Sequence, residues 1–582
     1  MTKTHYSILN PSISFSCKKG IRHVLLFFLF IFSLSLHAQP KWAKKARNAI
    51  FSIVTYDKED NILNTGNGFF ITESGEAVAD YTLFKGAERA VIVTTNGKQM
   101  PVTHIIGANE MYDIIKFRVN AGKEKLTVLP IDTTGVAAGT TVWLLPYSSS
   151  KETVAINGKV EECVSAAEKY HYYTLKLPVT DKLTSCPVTN EAGAVIAMIQ
   201  KPYGDQDATT SYAVDANFAA SLSIGALAAN NNTLRAIGIR KALPSTEKDA
   251  LIYLYMKNKH ENPDEYLQLL DEFIHTYPKN AEGYQRRAEF YTEKYKDSLH
   301  FELAERDIEK AFETSTNKAD IHFAFCRMIY LNTVNEKPLN YKDWGLPKAL
   351  EQVQQAIATD SVPLYLQTEG ELLFALGKYR EAYQAYQAVN RTNMVSAATY
   401  YAAARALELT GDTTAYEEIT ALIGMAIDTY AKPYPPYILA RAKAYTAMGK
   451  FRDAILDYNE YHRLMGDKVT ASFYYQREQV AIAARMNQLA VDDITRAIEL
   501  APDNVDYLAE HASLMTRFNR IDAAIPSCLH AIELAPDYAD CHRILGICYI
   551  QKGEKEKALQ CFQKAKELGD EYADALIEKY SK

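Results

Sequence analysis

Cysteine, tryptophan and net charge are all scarce in this chain. There are 8 cysteines and 3 tryptophans among 582 residues, and the formal net charge is −7. So few cysteines exclude the dense disulfide framework of a small secreted domain. The small net charge, without a long basic cluster, excludes an extended nucleic-acid surface, and we expect no nucleic-acid partner. No Cys or His cluster has the spacing of zinc ligands, so we expect neither a metal nor another cofactor.

The chain does contain enough apolar residues for more than one core. Hydrophobic residues make up 48% of the sequence and charged residues 23%. This balance is typical of a folded soluble protein. A length of 582 residues predicts several domains rather than one.

The N-terminus has the pattern of a secretory signal peptide. Lys18, Lys19 and Arg22 precede an apolar run over residues 24–36, and a small residue follows it. Such a run is shorter than the roughly 20 residues that a transmembrane helix needs, although an uncleaved anchor is the alternative. We therefore expect removal of residues 1–38, a mature chain without a membrane span, and a location in the periplasm or outside the cell.

The region from about 48 to 220 is built from short runs rich in β-branched and aromatic residues. Turn signals such as Thr95-Asn96-Gly97 separate the runs, and no helical stretch lies between them. This pattern predicts an all-β barrel or sandwich. The runs cover residues 49–55, 67–72, 90–95, 113–119, 141–145, 172–177 and 194–199.

The C-terminal part repeats itself with a fixed period. Ala490, Ala524 and Ala558 lie 34 residues apart. Each segment contains two amphipathic helical patterns joined by a short turn, for example 539–552 and 555–568. Apolar residues recur at the spacing of one buried helical face, so the sequence predicts a pair of helices in each repeat.

This repeat resembles the tetratricopeptide repeat, a helix–turn–helix unit of 34 residues. In the last copy Gly546, Ala558, Phe562 and Ala565 match the family's pattern. About nine copies fit residues 247–572, between a linker at 222–246 and a C-terminal tail at 573–582.

The resemblance implies an all-α superhelical solenoid whose inner face is formed mainly by the first helices and binds a protein or peptide. Its inner-face candidates are Tyr401, Arg405, Lys443, Tyr475, Gln479, Arg517 and Arg543.

Cys528 and Cys541 fall on the second helix of one repeat and the first helix of the next. These surfaces pack together in such arrays, and export permits disulfides, so the two residues could form a bridge. Buried free thiols are the alternative.

Several motifs of the N-terminal region occur in the order found in HtrA-type, trypsin-like serine protease domains. Residues 66–72 and Lys85-Gly86-Ala87 resemble the start of that domain, and residues 187–196 resemble the strands around its nucleophile. The resemblance spans residues 48–221 and implies a trypsin-like double barrel.

The positions that carry the chemistry in that family are altered here. Catalysis requires a base, a carboxylate that orients it, a nucleophile and backbone N–H groups for the oxyanion. By alignment with the family, Thr82 stands at the base, Asp113 at the carboxylate and Thr184 at the nucleophile. Residues 182–186 replace the family's Gly-Asn-Ser-Gly-Gly, so the glycines that permit the oxyanion loop are absent. The resemblance therefore predicts a catalytically inactive domain in which Asp113 is a structural residue.

A rebuilt catalytic site is the alternative. A shift of one residue puts Ser185 at the nucleophile, with His104 or His171 as a base, and Cys186 is a further nucleophile to consider. Nothing in the spacing places either histidine beside Ser185, so we expect structural or surface roles for both.

Two classes of function follow. The first is an exported interaction scaffold with an inactive trypsin-like domain and a binding surface in the repeats. The second is an exported trypsin-like serine endopeptidase whose repeats recruit substrates. The altered positions favour the first class.

Overall fold

A computed structural model describes residues 39–149, 155–167, 170–201, 209–430 and 432–582. The chain forms two compact units, one ending at Arg287 and one beginning at Ala288. The predicted signal peptide, 1–38, lies outside the described residues. Within the described ranges, no helix is both long and apolar enough to cross a membrane.

The first unit contains two closed six-stranded barrels whose strands pair antiparallel. Both barrels have the same strand order. In each barrel the first three strands lie side by side in chain order, and the last three continue around the barrel in reverse order. The first barrel consists of β1 Ile50–Tyr56, β2 Ile62–Phe70, β3 Glu76–Ala79, β4 Arg89–Thr94, β5 Gln99–Asn109 and β6 Ile114–Val119. The second consists of β7 Thr141–Leu144, β8 Ile156–Ala167, β9 Tyr170–Lys176, β10 Pro187–Thr189, β11 Val195–Ile199 and β12 Thr210–Asp215. The predicted all-β double barrel is confirmed.

Alternating side chains fill each barrel. In the first barrel the ring of Phe51 lies 4.6 Å from that of Phe70 and 6.2 Å from that of Phe117, and all three are buried. In the second, Tyr173 and Leu175 of β9 point inward and are fully buried. This period-two burial is what a strand with one face on a core requires.

The segment predicted as a linker, 222–246, is bonded to the first barrel. Ile105 N–H donates to the Arg240 carbonyl at 2.8 Å, and Ala242 N–H donates to the Ile105 carbonyl at 2.8 Å. The Arg240 guanidinium also reaches Glu272 at 2.6 Å. These contacts explain why the first compact unit continues past 246 to Arg287.

Paired helices follow the barrels and confirm the all-α repeat region. The short helices before it are α1 Ala43–Ala46, α2 Ala216–Ser221 and α3 Asn232–Arg235. The others are α4 Glu247–Met256, α5 Pro263–Thr276, α6 Ala281–Lys294, α7 Ser298–Thr314, α8 Lys318–Thr333, α9 Leu346–Thr359, α10 Pro363–Ala375, α11 Tyr379–Val389, α12 Ala397–Leu409, α13 Tyr416–Thr429, α14 Pro435–Ala447, α15 Phe451–Met465, α16 Ala471–Ala483, α17 Asn487–Leu500, α18 Val505–Arg517, α19 Ile521–Leu534, α20 Ala539–Gln551, α21 Lys555–Glu567 and α22 Ala573–Ser581.

The two helices of a repeat approach most closely at a small residue on the first helix. A Cβ built on Gly546 would lie 2.5 Å from the Phe562 ring, and one built on Gly370 would lie 2.9 Å from the Tyr386 ring. Real Cβ contacts are longer, so the ring of the second helix packs directly on the backbone of the first.

The segment predicted as a tail, 573–582, forms helix α22. Its Tyr580 ring stacks on Phe562 with the ring centroids 6.1 Å apart. Helix α22 therefore packs on the last repeat, as a terminal capping helix does in repeat proteins.

Cys528 and Cys541 are buried free thiols, not a bridge. The neighbouring Cys548 thiol and burial raise the pKa of Cys528. Cys548 also lies 3.2 Å from the Thr516 hydroxyl. These thiols act as small core side chains.

The turn inside each of six successive pairs contains one residue in the left-handed region. In five of them the next residue donates its N–H to a carbonyl of the first helix at 2.8 to 2.9 Å, for example Met486 to Ala481. This is the bonding of a Schellman cap, whose left-handed position favours glycine. The left-handed residues are Gly377, Gly411, Gly449, Arg485, Asn519 and Gly553.

Arg485→Gly is expected to stabilise the repeat region. Arg485 has a φ of 61° and is exposed, so the substitution removes backbone strain without opening the core. The net gain should be about 0.5–1 kcal/mol, because the greater freedom of glycine in the unfolded chain offsets part of the relief. Urea unfolding followed by circular dichroism measures it.

Gly553→Arg is the matched control, since it introduces the same strain at the equivalent turn, where φ is 79°. It should lower the urea midpoint. A higher urea midpoint for Gly553→Arg, or a lower one for Arg485→Gly, would contradict the assignment of these two positions to Schellman caps.

Candidate functional site

The base and carboxylate positions of the trypsin-like pattern lie together in the first barrel. Thr82 sits on the short turn Tyr81–Leu83, and its side chain is exposed. Its N–H and its hydroxyl donate to the same Asp113 oxygen, at 2.7 and 2.8 Å. Asp113 therefore accepts two hydrogen bonds from Thr82, and it holds the Tyr81–Leu83 turn.

The backbone of the nucleophile loop is hydrogen-bonded to carbonyls of the protein itself. Thr184 N–H donates to Asp181 at 3.3 Å, Ser185 N–H to Ile199 at 2.9 Å, and Cys186 N–H to Leu183 at 3.2 Å. An oxyanion site needs N–H groups aimed at the reacting oxygen. At residues 184–186 all three are already engaged.

Asn67 fixes the same loop from the first barrel. Its Nδ2 donates to the carbonyls of Lys182 at 2.8 Å and Thr184 at 3.1 Å. The Thr184 hydroxyl is a buried atom for which the described residues offer no hydrogen-bond partner. Among the described residues, therefore, no base is hydrogen-bonded to the Thr184 side chain.

Asp80 is a member of this site that sequence reasoning missed. Its N–H donates to the Ser185 hydroxyl at 3.2 Å. Ser185 is fully buried with a φ of 64°, a strained conformation at the position where the trypsin-like pattern has glycine.

Burial and the nearby charge of Asp113 raise the pKa of Asp80 well above its ordinary value. One of its oxygens, Oδ1, is buried and has no hydrogen-bond partner among the described residues. A carboxyl group in such surroundings is stable in its protonated form.

The other candidates for a rebuilt catalytic site lie in separate environments. His104 is 3.8 Å from Glu272, and burial lowers its pKa to about 4. His171 Nδ1 lies 3.3 Å from the Asp215 carboxylate. Burial raises the pKa of Cys186 to about 12, which opposes a thiolate. Among the hydrogen bonds of the described residues, neither histidine is joined to Ser185.

A polar cavity of about 490 Å³ lies beside the first barrel. Its lining includes Lys58, Glu88, Lys241, Lys257 and Glu265. Lys58 is 3.9 Å from Glu88, and Lys257 is 3.1 Å from Glu265. These two ion pairs hold the charged side chains of Lys58, Glu88, Lys257 and Glu265 in the wall of the cavity.

Two of the predicted inner-face tyrosines stack between successive first helices. Tyr401 of α12 lies 4.8 Å from Tyr437 of α14, and Tyr475 of α16 lies 4.9 Å from Tyr507 of α18, measured between ring centroids. Both rings stay partly exposed. They form an aromatic surface at the junction of neighbouring repeats.

The charged and amide candidates divide into two groups. Lys443, Gln479 and Arg517 are exposed. Arg405 is bonded to Glu408, and Arg543 is bonded to Asp540 and, at 2.7 Å, to Asp570. Arg543 therefore has a structural contact within the last repeat and its flanking turn.

Two ion pairs within repeats, one of them fully buried, were missed by sequence reasoning. Arg477 of α16 makes a two-pronged contact with Asp493 of α17, at 2.8 and 2.6 Å, and both residues are buried. Arg441 of α14 contacts Asp457 of α15 in the same way, at 2.8 and 2.9 Å. The sequence did contain a sign of these pairs, because an Arg and an Asp occur at equivalent positions of two successive repeats.

Comparison with known proteins supports the repeat assignment. A family model of the tetratricopeptide repeat matches residues 539–572. The chain carries a tetratricopeptide repeat at its C-terminal end. A TPR repeat-containing thioredoxin, TTL4, from Arabidopsis thaliana is 36% identical over 63 residues, which cover 11% of this chain and 9% of that protein. The similarity thus spans a small part of the relative's length.

Asp80→Asn is expected to stabilise the first unit at pH 7 to 8 and to flatten its pH dependence. The pKa of Asp80 is higher in the folded state than in the unfolded state, so its contribution is complete below about pH 4 and is lost as pH rises through the folded-state pKa. The asparagine amide stays neutral at every pH, so the variant does not lose this stability as pH rises. Hydrogen exchange of the 181–186 loop, measured by mass spectrometry from pH 5 to 8 and corrected for intrinsic rates, follows the effect.

Ser185→Ala is the control. It removes the hydroxyl that accepts from the buried Asp80 N–H and should destabilise the loop by about 1–3 kcal/mol. Equal pH profiles for wild type and Asp80→Asn would show that Asp80 is not a buried, protonated group.

Proposed function

We propose that this protein is an exported scaffold that binds a protein or an extended peptide through its repeats and whose trypsin-like double barrel is catalytically inactive. The observation that carries the proposal is the tetratricopeptide repeat at residues 539–572, within an array of helical pairs. Repeats of this kind present extended surfaces for protein partners.

The inactivity of the barrel is supported by three features of the altered site. Thr82 donates to Asp113 where a base would accept a proton. Backbone carbonyls occupy the N–H groups of residues 184–186. Ser185, the fallback nucleophile, is fully buried and bonded to Asp80. These three features argue against a base at this site, against free N–H groups in residues 184–186 and against access to the Ser185 hydroxyl.

Export is proposed from the N-terminal pattern alone. Removal of residues 1–38 would place the mature protein in the periplasm or outside the cell. Intact-mass analysis of protein purified from the native host should find a chain that begins near Gln39. A chain that retains Met1, or one carrying a lipid, would contradict this part of the proposal.

The purified protein is expected not to cleave casein or a mixed peptide library, and a fluorophosphonate probe should label neither Thr184 nor Ser185. The physical reason is that Thr82 donates to Asp113 where a base would stand and that backbone carbonyls engage the N–H groups of residues 184–186. Thr184→Ala and Ser185→Ala are assayed beside the wild type. Turnover in the wild type that either variant abolishes would favour the alternative, a serine endopeptidase.

Binding is expected to depend on the first-helix surface of the repeats. Tyr475→Ser with Arg517→Ser should weaken the retention of protein partners from a native envelope extract at least tenfold, because rings and guanidinium groups supply much of the binding energy at such surfaces. Arg463→Ser, on second helix α15, removes an exposed charge of the same kind and serves as the control. Equal losses in both variants would place the binding surface elsewhere.

A further inference from the structure

The polar cavity beside the first barrel has the size of a small-molecule site. Its volume is about 490 Å³, and pockets for small ligands typically enclose about 300–1,000 Å³. It is lined by residues next to strands β1 and β4, by the segment 228–241, and by residues between 253 and 265 of helices α4 and α5 and their connection. All of these belong to the first unit.

Backbone hydrogen bonds join one wall of the cavity to the first barrel. Gly86 N–H donates to the Ala236 carbonyl at 2.7 Å, and Gly238 N–H donates to the Ala87 carbonyl at 2.8 Å. A Cβ built on Gly238 would lie 2.2 Å from the Glu88 carboxyl group, so this carboxylate packs directly on the glycine backbone. The folded barrel therefore fixes the shape of the cavity on this side.

The charges in the lining are only partly matched. Four of the charged side chains belong to the two ion pairs in the wall of the cavity. The other three are Arg235, Lys241 and Glu261. In the described ranges none of these three forms an ion pair, so two cations and one carboxylate are left over.

Lys241 is the unmatched cation that the fold holds most firmly. Its backbone forms a parallel bridge with Ile105 of strand β5, and the next N–H, that of Ala242, donates to the Ile105 carbonyl at 2.8 Å. Its Nζ donates to the Ile237 carbonyl, which engages one of the three N–H groups of the ammonium. The side chain is half-buried and lines the cavity, where an ammonium without an opposite charge is unfavourable.

Burial lowers the pKa of Lys241 to about 8. Glu265 of α5 and Glu88 beside β4 favour its charged form, and Lys257 after α4 disfavours it. Both carboxylates are already paired with other lysines. An anion beside the Lys241 Nζ would therefore stabilise the charged form.

The lining favours one carboxylate over a multiply charged group. Four of its residues are cationic and three are acidic, so its net charge is small. A phosphate dianion would meet three carboxylates, whereas a single carboxylate needs only the two unmatched cations. Apolar side chains also line the cavity and can contact the organic part of a ligand; they are Leu234, Ile237, Tyr253 and Met256.

We propose that this cavity binds a small organic molecule with one carboxylate group, and that Lys241 and Arg235 donate to that carboxylate. Glu261 stands in the same lining for a ligand that also carries an ammonium group, as an amino acid does. The site lies in the first unit and is independent of the scaffold function proposed for the repeats.

Proton uptake accompanies binding near pH 8. A carboxylate beside Nζ raises the pKa of Lys241 above its value of about 8 in the free protein. The complex is therefore favoured below that value and weakens as pH rises from about 7 to about 9.5. An arginine and a carboxylate stay charged throughout this range.

The test screens the full-length protein by ligand-observed NMR against a panel of monocarboxylic acids, amino acids included, each paired with its primary amide. At least one acid should bind with a Kd below about 1 mM, and its amide should bind at least tenfold more weakly because it lacks the charge. Lys241→Met keeps an unbranched side chain without the charge and should weaken binding of that acid at least tenfold. Lys248→Met, which removes an exposed lysine of α4 outside the lining, is the control and should bind as the wild type does.

Acetylation of Lys241 by dilute acetic anhydride at pH 8 gives a second measurement that needs no variant. The reaction forms an amide at Nζ and releases acetate, and peptide mass spectrometry follows its rate. The acid should slow it at least fivefold and the amide should not. A panel without a bound acid, an acid that Lys241→Met binds as the wild type does, or equal protection by acid and amide would overturn the site and leave the scaffold function standing.

Discussion

The close approach of the two helices of a repeat, at a glycine of the first helix, is the contact around which the repeat region is arranged. A ring of the second helix lies on the backbone of the first at Gly370 and Gly546. The left-handed turn residue before the second helix sets the angle at which the ring arrives. First helices then present their remaining faces side by side, which brings Tyr401 to Tyr437 and Tyr475 to Tyr507.

The repeat that contains Glu478 departs from this arrangement, because a buried glutamate stands where Gly370 and Gly546 stand in theirs. The residue before it, Arg477, forms a buried ion pair with Asp493 of the second helix. A buried ion pair contributes little net stability against an apolar alternative.

In the double barrel, a different buried carboxyl group controls the altered site. Asp80 contacts Ser185 across the two barrels, and Asn67 holds the adjacent carbonyls. The loop that would display a nucleophile is thereby drawn into the protein and its N–H groups are used internally. Glycines would permit other conformations of this loop, whereas Thr184, Ser185 and Cys186 restrict it.

The sequence alone determined the class of each region, because strand and helix periods and the repeat spacing are local properties of the chain. It predicted both the all-β region and the helical pairs. Strands such as β3, β5 and β8 were missed, because β3 has only four residues and register shifts interrupt the period of β5 and β8. Only the tertiary structure decided that Asp80 joins Ser185 and that Glu478 Oε1 has no hydrogen-bond partner among the described residues. Both facts depend on side chains far apart in sequence or on the space between two helices. Neither produces a periodic pattern in the sequence.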